Sequence, residues 1–408
     1  MVWVPGSAAI LAKSAEAVAP SHDARVTTYS VLLLTRYERR GPSSRVRHYN
    51  FLPALEHAGF RVTVAPFLDD EYLDRYFRGE RRRLRSLIAA YCRRLRQALS
   101  ARRYDLLWIE KEALPWLPAA LERALLGAKP LVIDFDDPWY LRYANNGNPL
   151  VRVVLGRKLE TVAARATALT AGSPVLARWA TASGARHVVE MPPAVDIEHY
   201  PLRPFPEGPF TVGWIGTPRN EAYLSLIAEP LRCLHAAHGA RLRVIGGTGH
   251  FSLPGVPIDQ VPWREDAEGT ELARCHVGVM PLTDGPWERG KCGYKLIQYM
   301  AAGRPAVASP VGASPSLVFP GETGYLAADV EEWSTALANL AGDPERVQKL
   351  GTAARRHAET KYSLQVQAPR LIALFRNAVG ELGLPDGVQS GPIGCRKVGT
   401  APRLSTER

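Results

Sequence analysis

The chain of 408 residues has few cysteines, and they show no paired spacing. The five are scattered along the sequence, at Cys92, Cys233, Cys275, Cys292 and Cys395. An odd, unpaired set argues against a disulfide framework and against a zinc site, and it favours a reducing compartment. We therefore expect a cytoplasmic protein. Cys292 has no base paired with it in any motif, so we do not expect a catalytic thiol.

Long apolar runs are absent as well. No run approaches the ~18 residues that a membrane-spanning helix needs. The first twenty residues are mildly apolar but lack an early positive cluster, which argues against a signal peptide. We interpret residues 1–25 as a loose leader and residues 384–408, rich in Gly, Pro, Ser and Arg, as a disordered tail.

Acidic residues are in the minority, with 40 Asp and Glu against 51 Lys and Arg, for a net charge of +11. Much of the excess comes from residues 81–103, which carry nine arginines and no acid. Apolar residues recur there at helical spacing, which predicts a basic amphipathic helix. Three interpretations stay open: a solvated helix face, docking on an anionic lipid surface at the inner face of the membrane, and nucleic-acid binding. No nucleic-acid motif accompanies the charge, so we expect no nucleic-acid partner.

Strand-like runs alternate with helical patterns throughout, which is typical of parallel α/β sheets. Strands are predicted at 29–34, 62–66, 106–109, 131–135, 168–171, 187–190, 210–215, 242–245, 258–261, 276–280 and 306–309. Helices are predicted at 46–58, 150–165 and 365–380, among others. This pattern alone does not distinguish among two-domain α/β folds. A flavodoxin-like pair of domains and a periplasmic-type binding protein are two alternatives that it leaves open.

The length and a hydrophobic content of 46% suffice for two cores. The proline-rich segment 201–206 interrupts the pattern and reads as a linker between domains. We therefore expect a first domain at 26–203 and a second at 207–364. A C-terminal helix at 365–383 would follow, with a return to the first domain as one option.

The most informative stretch is 287–305, in which a short glycine loop opens an amphipathic helix and a buried strand follows. Gly290 and Gly293 would let backbone N–H groups approach a ligand closely, and a helix N-terminus offers unpaired donors to an anion. Lys291 and Lys295 add two cations beside those donors. The combination predicts a pyrophosphate site.

These residues, together with 310–312 (PVG) and 321–326 (GETGYL), resemble the donor-binding half of retaining glycosyltransferases of the GT-B fold, specifically glycosyltransferase family 4. The resemblance is dense over about 214–362 and weaker before it. It implies two Rossmann-like, doubly wound parallel-sheet domains that face a cleft. It also implies a nucleoside-diphosphate sugar as donor substrate, with no metal and no other cofactor, and no dedicated nucleophile.

The chain departs from the family at one pair of positions. The usual two glutamates, eight residues apart, fall at Gly290 and Gln298. Gln298 can still hydrogen-bond a ribose hydroxyl through its amide. The sugar-facing glutamate has no replacement in register, so Asp284 or Glu288 must supply that contact, or the donor is held differently. Tyr294, which opens the helix, is expected at the donor as well.

Ligands of open α/β sheets lie beyond the carboxyl ends of the strands, and this rule identifies further donor-side candidates in the second domain. Thr217 and Arg219 would reach the phosphates, although a plain surface turn is the alternative for this loop. Gly216 and Gly246 end two strands at the nucleotide pocket. Trp263 would contact the base, with a core tryptophan as its alternative.

In the first domain the same rule points to two loops. Asp134, Asp136 and Asp137 crowd three carboxylates at one strand end, a repulsive arrangement that suggests a use. We expect Asp136 and Asp137 to hold donor or acceptor hydroxyls in the cleft, with metal binding and turn capping as alternatives. The second loop carries the acceptor-side candidates, of which the serines would cap a helix and the arginines would point at an anion. They are Ser43, Ser44, Arg45 and Arg47.

The interpretation that joins these features is a retaining glycosyltransferase acting on a glycan, lipid-linked or small-molecule acceptor. Lys291, Lys295 and Arg219 would neutralise the leaving diphosphate, and closure about the linker would exclude water. One rival is a GT-B epimerase or hydrolase with an acid/base pair in the cleft. Another is a non-catalytic nucleotide-sugar-binding protein. A dehydrogenase is the third and least favoured alternative, because 246–249 (GGTG) lacks the glycine spacing of the dinucleotide-binding fingerprint.

Overall fold

The computed structural model describes residues 28–81 and 83–381, and these form two six-stranded parallel sheets in succession. The strands of the first sheet are β1 (Tyr29–Tyr37), β2 (Phe60–Leu68), β3 (Leu106–Glu110), β4 (Leu131–Phe135), β5 (Ala168–Ala171) and β6 (Val188–Glu190). The strands of the second are β7 (Thr211–Gly216), β8 (Arg241–Gly246), β9 (Ile258–Val261), β10 (Val277–Met280), β11 (Ala306–Ala308) and β12 (Gly324–Leu326).

Helices connect the strands and cover both faces of each sheet. In the first half of the chain they are α1 (Pro42–Arg47), α2 (Leu52–His57), α3 (Asp70–Phe77), α4 (Leu84–Ser100), α5 (Ala119–Leu126), α6 (Leu141–Ala144), α7 (Pro149–Leu155), α8 (Lys158–Arg165) and α9 (Pro174–Ala182). In the second half they are α10 (Ala228–His238), α11 (Glu268–Leu272), α12 (Pro286–Arg289), α13 (Tyr294–Ala301), α14 (Ser314–Leu317), α15 (Val330–Ala341), α16 (Pro344–His357) and α17 (Leu364–Ala378). Short 3₁₀ segments lie at Tyr49–Phe51, Ala101–Arg103, Ile197–His199 and Pro218–Ile227, and a π turn lies at Ala358–Tyr362.

The central strands are buried at every position, because helices cover the sheets on both sides. β3 and β4 are the clearest cases, and each carries a buried carboxylate near its carboxyl end, Glu110 as the last residue of β3 and Asp134 as the last but one of β4. Parallel strands covered on both faces read as continuous apolar runs, and those runs identified them in the sequence.

Strand order places a crevice in each domain. The first sheet runs β2-β1-β3-β4-β5-β6, and the second runs β12-β11-β10-β7-β8-β9. All strands are parallel, but the direction in which successive strands are added to the sheet reverses, between β1 and β3 in the first domain and between β7 and β10 in the second. Doubly wound sheets bind ligands at such switch points, outside the carboxyl ends of the strands. The prediction of two Rossmann-like parallel-sheet domains is confirmed.

The last helix, α17, packs on the first domain rather than on the second, whose sheet precedes it. Phe375 is fully buried there, with its ring centroid 5.1 Å from that of Trp108 and 5.5 Å from that of Phe60. The chain reaches this position through a backbone pairing in which Leu364 N donates to Val195 O at 2.9 Å. The chain thus crosses between the two domains a second time, after the linker sequence 201–206.

All eleven predicted strands are present, and their ends shift by three residues at most. A twelfth strand, β12, is not among the predictions, and Gly324–Leu326 forms it by pairing with β11 at the edge of the sheet. The helix predicted at 46–58 is broken into α1, a 3₁₀ turn and α2, and the helix predicted at 150–165 into α7 and α8. The leader and tail assigned to 1–25 and 384–408 lie outside the described residues.

The basic helix of the sequence is α4, which extends over Leu84–Ser100. Its inner side includes Ala90, Arg94 and Ala98, which are buried, while Leu84 and Ile88 are exposed by 70% and 54%. None of the helices among the described residues has the length and apolar character needed to cross a bilayer.

Candidate functional site

The glycine loop lies at the crevice between β7 and β10 in the second domain. It follows α12 and ends at Gly293, whose φ of 70° is a left-handed conformation that favours glycine. The apolar side chains of α13, including Leu296 and Ile297, are buried in the core and fix the helix with its N-terminus at this crevice. No side chain caps that N-terminus, so its first N–H groups are available to an anion.

Two ammonium groups lie at this loop, and no carboxylate of the described residues forms an ion pair with either. The Lys295 Nζ atom is 4.2 Å from the ring centroid of Trp214, and the Lys291 Nζ atom is 5.9 Å from that of Tyr223. Burial, and after it the neighbouring charge of Lys291, lowers the pKa of Lys295 well below its usual value. Two uncompensated cations held together cost free energy, and a bound anion would recover it.

Several predicted donor residues converge on these lysines. A Cβ atom at Gly216 would lie 2.8 Å from the Lys295 Nζ atom, so glycine leaves room for the ammonium group. A Cβ atom at Gly246 would lie 2.3 Å from the carbonyl oxygen of Gly216, so this strand end also has to be glycine. Glu288 accepts a hydrogen bond from the hydroxyl of Tyr223, the ring nearest to Lys291.

The loop after β7 faces the other domain rather than the lysines. The Arg219 guanidinium stacks 4.4 Å over the ring of Tyr76 in the first domain. Thr217 accepts a hydrogen bond from Asn220 Nδ2 at 3.2 Å and begins the 3₁₀ segment. Arg219 therefore contacts the first domain across the cleft, and its role as a phosphate ligand stays a prediction.

Two further donor-side expectations differ from the geometry. Asp284 is exposed and paired with Arg289 at 2.7 Å, so its carboxylate points to solvent and not into the crevice. Gln298 is only 4% exposed, and its Nε2 donates to the Tyr200 hydroxyl at 3.5 Å. Its amide faces the core, where no ribose can reach it in this conformation. Of the two acids proposed to replace the missing glutamate, Glu288 is the one beside the lysines.

Trp263 and Tyr294 of the second domain both lie near Arg45 of the first domain. The Arg45 guanidinium of the first domain stacks 4.4 Å over the Trp263 ring, whose Nε1 donates to Glu268 at 2.8 Å. Burial raises the pKa of Tyr294. The expectation of an anion-facing Arg45 is not met, because this side chain is buried against the tryptophan.

The carboxylates after β4 are not left to repel one another. Arg47 Nε donates to Asp134 at 3.0 Å, and both side chains are almost fully buried. Burial alone would push the pKa of Asp134 upward, but the Arg47 guanidinium holds it below its usual value. Arg47 thus neutralises Asp134 inside the domain, and the expectation that it points into the cleft is wrong.

A buried ionic cluster at the β1/β3 switch point contains residues that the sequence analysis missed. The Lys111 Nζ atom lies 2.6 Å from Asp136 and 3.1 Å from Glu110, and it donates to Ser43 Oγ at 2.8 Å. Ser44 Oγ donates to Glu110 at 2.6 Å. Against the effect of burial, the charge of Lys111 lowers the pKa of Glu110 to about 2. The sequence does contain a signal for this cluster, the charged run 110–112 at the end of a buried strand. Ligands of open α/β sheets lie beyond the carboxyl ends of the strands, so these residues were candidates as well.

The two acceptor-side serines therefore have different positions. Ser44 is fully buried within the cluster and cannot touch a ligand, which corrects that expectation. Ser43 is partly exposed and donates to Asp136 as well as to Glu110. It is the acceptor-side serine that lies at the cleft surface.

Asp137 differs from its neighbours, because its carboxylate accepts no hydrogen bond within the part of the chain that the structure describes. Burial, and after it the charge of Asp136, raises the pKa of Asp137 to about 6, while Lys291 acts in the opposite direction. Lys291 belongs to the glycine loop of the second domain. Asp137 is thus within electrostatic reach of that loop, and it titrates close to neutral pH.

The two domains touch across the cleft at these same loops. Ser173 Oγ donates to the carbonyl oxygen of Gly290 at 3.2 Å, and the indole rings of Trp139 and Trp287 are 6.0 Å apart. Cys292 Sγ lies 2.7 Å from the carbonyl oxygen of Asp136. Burial raises the pKa of the Cys292 thiol well above its usual value, which keeps it protonated. The arrangement is a closed one, with the lysines of one domain opposite the carboxylates of the other.

Metal binding was one interpretation of the three aspartates. Within residues 28–81 and 83–381, no three His, Cys, Asp or Glu side chains are grouped as a metal ion would need. Asp134 and Asp136 are instead bound by Arg47 and Lys111.

Comparison with known proteins finds sequence similarity in the second domain. Residues 209–343 match the family model for glycosyl transferases group 1. A segment of 89 residues is 36% identical to the MMP alpha-(1->4)-mannosyltransferase of Mycolicibacterium hassiacum, covering 21% of this chain and 22% of that protein. A segment of 88 residues is 38% identical to the D-inositol 3-phosphate glycosyltransferase of Rhodococcus opacus, covering 21% of this chain and 20% of that protein. The alignment thus spans about a fifth of the curated relatives' length.

Solved structures share the fold over most of the chain. Anabaena HepE in complex with UDP and glucose superposes with a TM-score of 0.64 at 15% identity, covering 86% of this chain and all of that one. Sucrose-phosphate synthase from Thermosynechococcus elongatus gives a TM-score of 0.65 at 16% identity, covering 86% of this chain and 98% of that one. The prediction of a GT-B fold is confirmed.

Proposed function

We propose that this protein is a retaining glycosyltransferase that transfers a sugar from a nucleoside-diphosphate sugar to a glycan, lipid-linked or small-molecule acceptor. One observation carries the proposal: Lys291 and Lys295 lie at a helix N-terminus without a side-chain cap, at the switch point of the second sheet, and neither forms an ion pair with a carboxylate of the described residues. A pyrophosphate is the anion whose size and charge suit two ammonium groups and a row of N–H donors. The glycosyl transferases group 1 match covers the same residues.

Catalysis would come from differential binding of the diphosphate. As the bond between the sugar and the diphosphate breaks, negative charge accumulates on the leaving oxygen. Contacts with Lys291 and Lys295 strengthen at that moment, so they lower the barrier more than they tighten substrate binding. Retention follows if the acceptor hydroxyl attacks from the face that the diphosphate leaves, with a phosphate oxygen accepting its proton. No dedicated nucleophile and no metal ion is then required, and we propose none.

The first domain would hold the reacting sugars. The Asp137 carboxylate accepts no hydrogen bond from the described residues and is within electrostatic reach of the glycine loop, so it is suited to accept a hydrogen bond from a sugar hydroxyl. Asp136 and Ser43 are bonded to Lys111, which fixes their positions at the cleft wall. In the second domain, Glu288 would contact the sugar in place of the family glutamate absent at position 290. The cross-domain contacts at Gly290 would exclude water once the donor is bound.

A second candidate has a specific observation in its favour. A carboxyl group with a pKa of about 6, as at Asp137, is suited to general acid/base chemistry near neutral pH. A hydrolase or epimerase of nucleotide sugars would use such a group and would consume donor without any acceptor.

One experiment separates these functions. The protein is screened by thermal shift against UDP, GDP, ADP, TDP and their common sugars, with and without EDTA, because a ligand of the folded state raises the apparent melting temperature. The stabilising sugar nucleotide is then incubated alone and with mixed acceptors, and product anomers are assigned by NMR. Transfer with retained configuration supports the glycosyltransferase. Donor consumption without acceptor supports the rival, and no stabilisation by any nucleotide contradicts both.

We also propose that α4 holds the enzyme at the inner face of an anionic membrane. Leu84, Ile88 and Leu99 are exposed, and helical spacing places them on one side, with the exposed Arg85 and Arg96 beside them. An apolar strip flanked by arginines is the pattern of helices that lie in a lipid interface. No acidic residue lies on α4 to offset these charges.

A further inference from the structure

A cavity of about 100 Å³ lies in the first domain, next to the β1/β3 switch point. Its walls are aromatic and cationic, and the residues that decide its chemistry are Arg36, Tyr72, Tyr76, Tyr91, Trp116 and Arg142. It is separate from the glycine loop, which belongs to the second domain.

Two guanidinium groups of the cavity stack on the same indole ring. The Arg36 Cζ atom lies 4.4 Å from the ring centroid of Trp139, and the Arg142 Cζ atom lies 4.3 Å from it. Arg36 has nearby oxygens, with Glu112 at 3.7 Å and the Tyr37 hydroxyl at 3.3 Å. Among the described residues, the Arg142 guanidinium has neither an ion pair nor a hydrogen bond.

The carboxylates around the cavity are already occupied. Glu112 is bonded to Lys158 at 2.6 Å, and the same ammonium is 2.8 Å from Glu122. No carboxylate of the described residues therefore balances the positive charge of Arg142. A third guanidinium, that of the almost fully buried Arg94, lies 5.5 Å from the ring of Phe67 in the cavity wall, and its Nε and Nη1 atoms have no hydrogen-bond partner in the part of the chain that the structure describes. Burial, and after it the charge of Arg36, lowers the pKa of Arg142.

Such a site favours a ligand with two parts. An anionic group would relieve the repulsion between the guanidinium groups and satisfy their N–H donors, and the planar fork of arginine suits phosphate oxygens. The tyrosines and Trp116 would pack against an apolar or aromatic part. Inorganic phosphate alone would leave that wall unfilled.

The cavity also adjoins the interdomain cleft. Tyr76 lines it, and the other domain's Arg219 stacks on the same ring at 4.4 Å. Trp139, on whose indole ring both guanidinium groups stack, contacts Trp287 just before the glycine loop. A molecule in the cavity would reach the cleft at the place where the donor sugar is proposed to react.

We propose that this cavity is the acceptor subsite and that it takes a phosphate ester with an apolar or aromatic group, the phosphate bound by Arg36 and Arg142. The assignment of the ligand as acceptor rests on the proposed glycosyltransferase function, but the binding chemistry does not. The source of the ester, a soluble phosphomonoester or a lipid headgroup, follows from which probe binds.

The test measures binding to the full-length protein by calorimetry and thermal shift. The probes are phenyl phosphate, dioctanoyl phosphatidic acid below its micelle concentration, and their uncharged counterparts phenol and dioctanoylglycerol. We expect at least one phosphate ester to bind and its uncharged counterpart not to. Arg142→Gln should weaken that binding about tenfold or more, because a charge-assisted hydrogen bond is lost. Arg157→Gln, at an exposed arginine, removes the same charge and should change nothing.

The Lys291→Ala variant separates this site from the glycine loop. If the ester binds the cavity, its affinity is unchanged in Lys291→Ala, whereas nucleoside-diphosphate binding is lost. The proposal is overturned if neither ester binds, or if binding depends on Lys291 and not on Arg142. A protein that binds the ester through Arg142 but no nucleotide would retain the cavity assignment and contradict the proposed function, so the two failures are distinguishable.

Discussion

Cys292 and Asp136 join the two domains at the centre of the cleft: the Cys292 Sγ atom lies 2.7 Å from the carbonyl oxygen of Asp136. Each residue is next to a proposed functional side chain, Cys292 to Lys291 and Asp136 to Asp137. The contact therefore fixes the lysine of the second domain relative to the carboxylate of the first.

Gly290 makes this closure sensitive to a single methyl group. A Cβ atom there would lie 2.6–2.7 Å from three ring carbons of Pro138 in the other domain, although the backbone of Gly290, with φ of −86°, accepts alanine without strain. Overlap of this kind costs about 1–3 kcal/mol. We expect Gly290→Ala to lower kcat about tenfold or more and to increase the radius of gyration measured by small-angle X-ray scattering in the presence of donor.

Gly147→Ala is the matched control, because a Cβ atom at that position meets nothing within 4 Å. It should leave both quantities unchanged. If Gly290→Ala has the same scattering curve and kcat as the wild type, closure through this contact is not part of the reaction.

Lys291→Ala and Lys295→Ala should each weaken nucleoside-diphosphate binding. A hydrogen bond to a charged group contributes about 1.5–3 kcal/mol, which corresponds to roughly a 10- to 150-fold higher Kd at about 1.4 kcal/mol per tenfold. Calorimetric titration with the stabilising diphosphate measures the change. Lys349→Ala, on the exposed side of α16, is the control for net charge. Equal affinities in all three variants would remove the main support for the donor site.

The strands and the glycine loop could be predicted from the sequence, whereas the buried ionic contacts of the first domain could not. The strands, the glycine loop and its lysines were found because each is a local pattern: a continuous apolar run, or glycines and cations at a strand end. Arg47 and Ser44 were misplaced because their partners, Asp134 and Glu110, are 87 and 66 residues away in the chain. Nothing in a local pattern decides whether an arginine beside a strand end meets a ligand or a buried carboxylate.

Asp137 should make stability depend on pH in a recognisable direction. Its pKa is about 6 in the folded protein and about 3.9 in an unfolded chain, so the native state binds the proton more tightly. The stabilisation from this proton is complete below about pH 4 and is lost as the pH rises through about 6. Asp137→Asn removes the effect, so we expect the variant to be about 1–3 kcal/mol more stable than the wild type at pH 8 and nearly equal to it at pH 4.

Urea unfolding of both proteins between pH 4 and pH 8 gives this difference. A constant difference across the range would show that Asp137 has an ordinary pKa, and the second candidate function would lose its specific support.

Lys111 should be the most costly residue of the first-domain cluster to replace. Its ammonium group compensates Glu110 and Asp136 in a buried position, and removal of one partner from a buried ion pair costs about 3–5 kcal/mol. We expect Lys111→Met to lower the free energy of unfolding by that amount. The double variant Lys111→Met/Glu110→Gln should recover part of it, because one uncompensated charge is removed. Lys349→Met serves as the exposed control. No loss in Lys111→Met would mean that the cluster is solvated in solution.

The exposed side of α4 predicts binding to anionic vesicles that depends on both its apolar and its cationic residues. Leu84 and Ile88 are exposed by 70% and 54%, and inserting them into a lipid interface would bury area that now faces water. At about 0.8 kcal/mol per buried CH₂ group, two aliphatic side chains contribute a few kcal/mol, and each arginine near an anionic surface adds about 1 kcal/mol.

Cosedimentation with vesicles containing phosphatidylserine should therefore retain the protein, whereas neutral vesicles or 0.5 M salt should release most of it. Leu84→Asp/Ile88→Asp should abolish retention. The matched control is Leu150→Asp/Val153→Asp, because these residues are equally exposed, by 68% and 83%, on α7 instead of α4. Retention of the first variant, or equal loss in both, would show that α4 is a solvated helix face.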